Sequence, residues 1–136
     1  MSKERYLLDT HAFFFWITKE VVSEDFCDFF DALAEKNKLF VSLIVFWELA
    51  FLVSAKKIAI NNLDKWGQDV LTTSGVQLLH PEISDFVLST QLPKHHKDPF
   101  DRLLIAQAKN SNMLLVTKDK LIKKYDVKTF WKESCE

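Results

Sequence analysis

Short apolar runs alternate with longer stretches of helical spacing along the whole chain. Residues 6–9 read as a short buried strand. Asp9 precedes Thr10 as a helix cap would, and residues 12–17 (Ala-Phe-Phe-Phe-Trp-Ile) form an apolar block that reads as core, with an interface as the competing explanation. Ser23, followed by Glu24 and Asp25, starts a helix in which Phe26, Phe29, Phe30 and Leu33 recur at helical spacing to about residue 36. Leu39 to Val41 is a second strand. Ser42 then caps a long apolar helix to about Ala55, closed by Lys56 and Lys57. Asn61 or Asn62 caps a helix carrying Leu63, Trp66 and Val70, and Val76 to Leu79 is a third strand. Pro81 starts a helix over about 82–90. Asp98 before Pro99 is a strong helix start, and that helix runs to about Asn110. Met113 to Val116 is a fourth strand, Lys120 to Lys124 a short helix, and Val127 to Thr129 an edge strand.

Strands alternating with helices predict an α/β fold with a parallel central sheet of four to five short strands flanked by helices. With 136 residues, 48% of them hydrophobic, the chain suffices for one domain, expected over residues 1–132 with a short tail at 133–136. Two Gly and three Pro leave no room for long linkers or a Gly-rich phosphate loop. Cys27 and Cys135 are far apart, so neither a disulfide framework nor a CxxC metal site is expected, and a reducing cytoplasmic setting fits. No run approaches the roughly 20 apolar residues of a membrane span, and the opening Met-Ser-Lys-Glu-Arg does not read as a signal peptide.

The net charge of −1 hides an uneven spread. Residues 1–93 carry eight basic and thirteen acidic side chains; residues 94–132 carry ten and four. That basic segment reads either as solvated surface or as a phosphate-backbone footprint.

Four acids change the picture. Asp9 ends the first apolar run, Glu48 sits inside the apolar helix beside Trp47 and Leu49, Asp101 lies in the first turn after Pro99, and Asp119 follows the fourth strand. Burying an unpaired carboxylate costs several kcal/mol, so four are tolerable together only around something cationic, most simply a divalent metal. Asp9 and Asp119 fall at C-terminal strand ends, the edge where open parallel sheets bind ligands. Oxygen-only ligands suit Mg²⁺ or Mn²⁺ and phosphodiester chemistry. Each acid also has a plainer reading: Asp9, Asp98, Asp101 and Asp119 as helix caps, and Glu48 as the partner of a lysine. His95 and His96 lack a spaced metal-ligand partner; phosphate contact or a structural bond to Asp98 suits them better. His11 is expected to point away from Asp9.

These segments resemble the PIN domain, and within it the VapC-type ribonuclease toxins of bacterial toxin–antitoxin pairs. The resemblance runs from Leu7 to about Trp131. Leu7-Leu8-Asp9-Thr10-His11 is similar to the opening strand with its first acid, and Trp47-Glu48-Leu49-Ala50 to the segment with the second. His96-Lys97-Asp98-Pro99-Phe100-Asp101-Arg102-Leu103-Leu104-Ile105-Ala106 is the most specific match, and Leu115-Val116-Thr117-Lys118-Asp119 resembles the closing unit. The resemblance implies a Mg²⁺- or Mn²⁺-dependent endoribonuclease that cuts single-stranded or looped RNA through a metal-activated water, leaving a 3′-hydroxyl and a 5′-phosphate. It would make Asp9, Glu48, Asp101 and Asp119 the metal ligands and catalytic acids. Asp98 and Thr117 would be outer members of the site, and Arg102, Lys97, Lys118 and His96 would contact RNA. It further implies a homodimer restrained by a small antitoxin that also binds operator DNA, with the Phe-rich stretches at 12–17 and 26–30 as partner-facing surface. Two departures stand out: the heavy aromatic run Phe13 to Trp16, and Val45 where a small hydroxyl residue is common. The alternatives are a catalytically silent PIN-fold module that binds RNA or antitoxin in transcriptional autoregulation, and a nuclease acting on DNA.

Overall fold

The computed structural model describes residues 3–132; the expected tail at 133–136, with Cys135, lies outside the described residues. Five short strands form one parallel sheet: β1 (Tyr6–Leu8), β2 (Leu39–Ser42), β3 (Gln77–Leu79), β4 (Leu114–Val116) and β5 (Thr129–Phe130), in the order β3-β2-β1-β4-β5. The inner strands read as unbroken apolar runs because helices cover both faces of such a sheet: Leu7, Leu8, Leu39, Val41, Leu115 and Val116 are fully buried. The fold class is the expected one. β5 begins at Thr129, displaced toward the C-terminus from the expected 127–129. An edge strand of two residues carries too little periodic signal to fix its ends.

The helices start where the sequence supplies an oxygen for their orphan N–H groups. α1 (Thr10–Thr18) is capped by Asp9, α2 (Glu24–Glu35) by Ser23, α3 (Leu43–Ser54) by Ser42 and α4 (Leu63–Thr73) by Asn62. α5 (Ile83–Gln91) begins with a capping box between Glu82 and Asp85, and α6 (Pro99–Ser111) follows the Asp98 cap with Pro99 in its first turn. Lys120 to Lys124, expected as a short helix, contributes a single 3₁₀ turn over Ile122–Lys124. Gly67 lets α4 approach α3 closely, since a Cβ there would meet the Phe46 ring at 3.2 Å.

The core is strongly aromatic. Phe13, Phe26 and Phe30 are fully buried, and Tyr6, Phe29 and Phe130 make edge and stacked contacts around them. The Phe-rich stretches therefore face largely inward, as the core reading of residues 12–17 expects, with Phe14, Phe15 and Phe29 half-buried. Exposed apolar side chains cluster on α3 (Leu43, Trp47 and Phe51) and α5 (Ile83, Phe86 and Val87), with Val21 and Leu121 exposed elsewhere. Among the described residues, no helix is long and apolar enough to cross a membrane.

Candidate active site

From β1 the chain works outward to β2 and β3, then returns to place β4 and β5 on the other side of β1. The reversal between β1 and β4 is a topological switch point, where strand ends diverge and leave a crevice. Asp9 follows β1 there, and its N–H donates to Val116 O across the gap (3.1 Å). A cavity of about 400 Å³ opens at this edge, lined by Asp9, Glu48, Asp98, Asp101, Asp119, His96 and Lys118. The structure thus brings all four expected acids, and Asp98, to one hollow from four separate parts of the chain.

Local structure holds each carboxylate. Asp9 accepts from Ala12 N–H at 2.8 Å, so it caps α1 and lines the cavity at once. Burial pushes its carboxyl up, against the opposing pull of Ala12 N–H and the Thr117 hydroxyl. Glu48 accepts from the Thr10 hydroxyl at 2.6 Å; burial raises it too, and Asp98 adds repulsion. Thr117, fully buried, accepts from Asp119 N–H at 3.1 Å. Burial also pushes Asp119 up, but Leu121 N–H (2.8 Å) and His96 outweigh it and hold the carboxyl below its ordinary value. Asp101 shares the His96 Nε2 but is shifted the other way. Burial, then repulsion from Asp98, Glu48, Asp9 and Asp119, drives it up to about 8.

His96 reaches into this cluster. Its Nε2 lies 2.9 Å from Asp101 Oδ2 and 3.1 Å from Asp119 Oδ2, while Nδ1 is 3.2 Å from the Asp98 N–H, which donates to it. A neutral ring accepting at Nδ1 carries its proton on Nε2, which gives the two carboxylates a shared donor. The expected bond to Asp98 is therefore present, made by the main chain, but the ring's principal partners are the acids. His96, Asp101 and Asp119 offer ligand atoms within 4.8 Å of one another.

Other residues depart from expectation. Arg102 does not face the cavity. Its guanidinium donates to the carbonyls of Ser89, Leu92, Pro93 and His96 and to the Tyr125 hydroxyl, at 2.8 to 3.3 Å. With these nitrogens engaged it braces the 92–98 loop, which corrects its expected phosphate contact. His11 lines the cavity and draws the Asp9 carboxyl down, contrary to the expectation that it turns away. It sits in the first turn of α1, beside the edge where the cavity opens. Lys97 and Lys118 are exposed, and Lys118 stands on the rim. Phe15, notable in the sequence only as part of an aromatic run, and Trp131 line the same cavity, which the sequence does not foretell. Nothing local marks them, because α1 and the segment after β5 meet only in the folded chain.

The donor set fits a hard divalent cation. Carboxylate oxygens predominate, and Asp101, held near 8 by burial and then by its like-charged neighbours, shows a cluster short of positive charge. His96, Asp101 and Asp119 have ligand atoms close enough together to hold one, and Asp9 and Glu48 line the same cavity.

A family model described as the PIN domain matches residues 6–128. Among solved structures the chain is similar to VapBC2 from Rickettsia felis bound to a DNA fragment from the promoter, with a TM-score of 0.74 at 20% identity over 94% of this chain and 98% of that one. It is also similar to FitAcB from Neisseria gonorrhoeae (TM-score 0.67, 19% identity, 92% and 96% covered). DNA-bound VapBC from Salmonella typhimurium gives a TM-score of 0.67 at 14% identity, with 94% and 98% covered. At these identities the likeness speaks for the fold. No match is found among curated proteins.

Proposed function

Since the chain belongs to the PIN-domain family, whose model spans residues 6–128, we propose that it is a metal-dependent endoribonuclease toxin of the VapC type. Its substrate is single-stranded or looped RNA, and a small cognate antitoxin restrains it in the cytoplasm. The observation that carries this reading is the convergence of five carboxylates from separate parts of the chain on one cavity at the switch point of the sheet.

A bound Mg²⁺ or Mn²⁺ supplies a Lewis acid that makes a hydroxide available near neutral pH and offsets charge developing on the phosphoryl oxygens. The residues of the chain prepare the place for that chemistry. Ala12 N–H and the Thr10 hydroxyl fix Asp9 and Glu48 in orientation. Thr117 and Leu121 N–H fix the loop that carries Asp119. His96 holds a proton at Nε2 between Asp101 and Asp119, and Arg102 keeps the loop bearing His96 in place. Lys97 and Lys118 give the RNA backbone positive charge at the rim. Preorganised charge of this kind needs no rearrangement when the transition state forms.

The similar structures from Rickettsia felis and Salmonella typhimurium contain DNA together with VapBC. By analogy this chain forms a homodimer, with operator DNA reached only through the antitoxin. The exposed aromatic side chains of α3 and α5 are surface for such partners. The test is cleavage of a mixed RNA pool by antitoxin-free protein with Mg²⁺, with Mn²⁺ and with EDTA, beside the Asp9→Asn variant. Metal-dependent cuts with 5′-phosphate ends, absent from the variant, are expected. Folded protein that cuts nothing under either metal would leave the silent binding module as the reading, and cuts confined to added DNA would change the substrate.

A further inference from the structure

The cavity lining is of two kinds. Acids from the strand ends, α3 and α6 are one; the other is an aromatic wall of His11 and Phe15 from α1 and Trp131 from beyond β5, with Lys118 beside Trp131. We propose that the aromatic wall is a base-stacking subsite, with Trp131 as the platform for one nucleobase of a single-stranded substrate whose phosphate lies at the acids. The inference rests on the nuclease reading above.

Three observations carry it. First, the acids repel a phosphate unless a cation screens it, so the uncharged surface of a nucleotide is directed to the aromatic lining. A cavity of about 400 Å³ lies within the range of small-ligand sites, about 300–1,000 Å³. Second, Trp131 is only half-buried: its ring packs at 5.1 Å against Phe26, deep in the core, which fixes it while leaving surface toward the cavity. A rigid, partly exposed ring with its back to the core is what a stacking platform requires, since little entropy is lost when a base settles on it. Third, the ammonium of Lys118 stands 5.2 Å from the centre of that ring. An exposed cation–π contact is weak and readily exchanged, so an arriving base displaces the lysine. The ammonium is then free for the adjacent phosphate, one residue from Asp119. Stacking accepts any base, so this subsite favours unpaired nucleotides without reading sequence.

The test is a cycle between protein and substrate. Asp101→Asn protein, with Mg²⁺, is titrated with short single-stranded RNAs, on the order of ten nucleotides, in which each position in turn is made abasic. The same series is repeated with Trp131→Leu added, which keeps apolar bulk against Phe26 and removes the aromatic face. Loss of one base is expected to weaken binding about tenfold, and Trp131→Leu to weaken intact RNA equally while leaving that one abasic RNA unchanged. Phe15→Leu is expected to act in the same direction with a smaller effect. Equal weakening of intact and abasic RNA by Trp131→Leu would overturn the subsite in favour of a purely structural ring, and so would unchanged binding or no RNA binding at all. Cleavage by the unaltered protein, followed in parallel, shows whether the nuclease reading stands independently of that result.

Discussion

Asp101 and Arg102 are neighbours in the first turn of α6, and the protein treats them in opposite ways. Arg102 directs its guanidinium to four main-chain carbonyls and one hydroxyl, all neutral acceptors, and so ties the last turn of α5, the loop after it and Tyr125 together. Asp101 faces Asp98, Glu48, Asp9 and Asp119, with only the His96 Nε2 proton to share. A charge whose bonds are all made inside the protein is a structural brace; one left among like charges is held ready for something that is not part of the chain. Stability and function thus separate across a single peptide bond.

Asp101→Asn is the strongest way to break the contrast. It removes the charge at nearly constant volume and is expected to lower the cleavage rate by about 10²–10³-fold, the scale of losing one preorganised electrostatic group. The same variant should melt at a higher temperature than the parent in EDTA, because repulsion is relieved. A lower melting temperature would move Asp101 to the structural side. Arg102→Ala should do the reverse. It leaves several carbonyls without a donor and is expected to cost about 2–4 kcal/mol in urea unfolding, and Arg102→Lys should not rescue it, since one ammonium cannot serve a forked set of acceptors.

The contrast sharpens with pH. In the folded, metal-free protein the Asp101 carboxyl sits near 8, above its ordinary value of 3.8. Its proton-linked contribution to stability is therefore complete below about 4 and is lost as pH rises through about 8. The melting temperature in EDTA should fall across that window. Asp101→Asn should flatten the slope, and an unchanged slope in the variant would assign it to other groups. The smallest effect is expected from Thr10→Val, which removes the hydroxyl that orients Glu48 and should cost about 0.5–1.5 kcal/mol in transition-state stabilisation, read from kcat/KM on one RNA.

Much of the contrast was legible in the sequence. Leu7, Leu8, Leu115 and Val116 announced buried parallel strands because burial on both faces leaves no polar alternation to obscure them. Asp9 and Asp119 announced a site because carboxylates directly after such strands have few other uses. The cap and ligand readings of Asp9 proved compatible: the residue that starts α1 also lines the cavity. What the sequence hid was long-range. His96 meets Asp119 across 23 residues because α6 and β4 carry the chain back to the same sheet edge, while Arg102 holds the loop that bears His96. Arg102 looked available for phosphate because its acceptors are main-chain carbonyls, which carry no sequence signature. Residues 12–17 read as core with an interface as the competitor, because aromatic density alone does not say which side of a helix faces the sheet.

The most direct test of the central claim is calorimetric titration of Mn²⁺ into antitoxin-free protein and into its Asp101→Asn variant. Saturable binding that weakens at least tenfold in the variant, about 1.4 kcal/mol, is the predicted result. Absence of binding, or equal affinity in the two proteins, would mean that the crowded carboxylates do not await a metal, and the account of the site would fail.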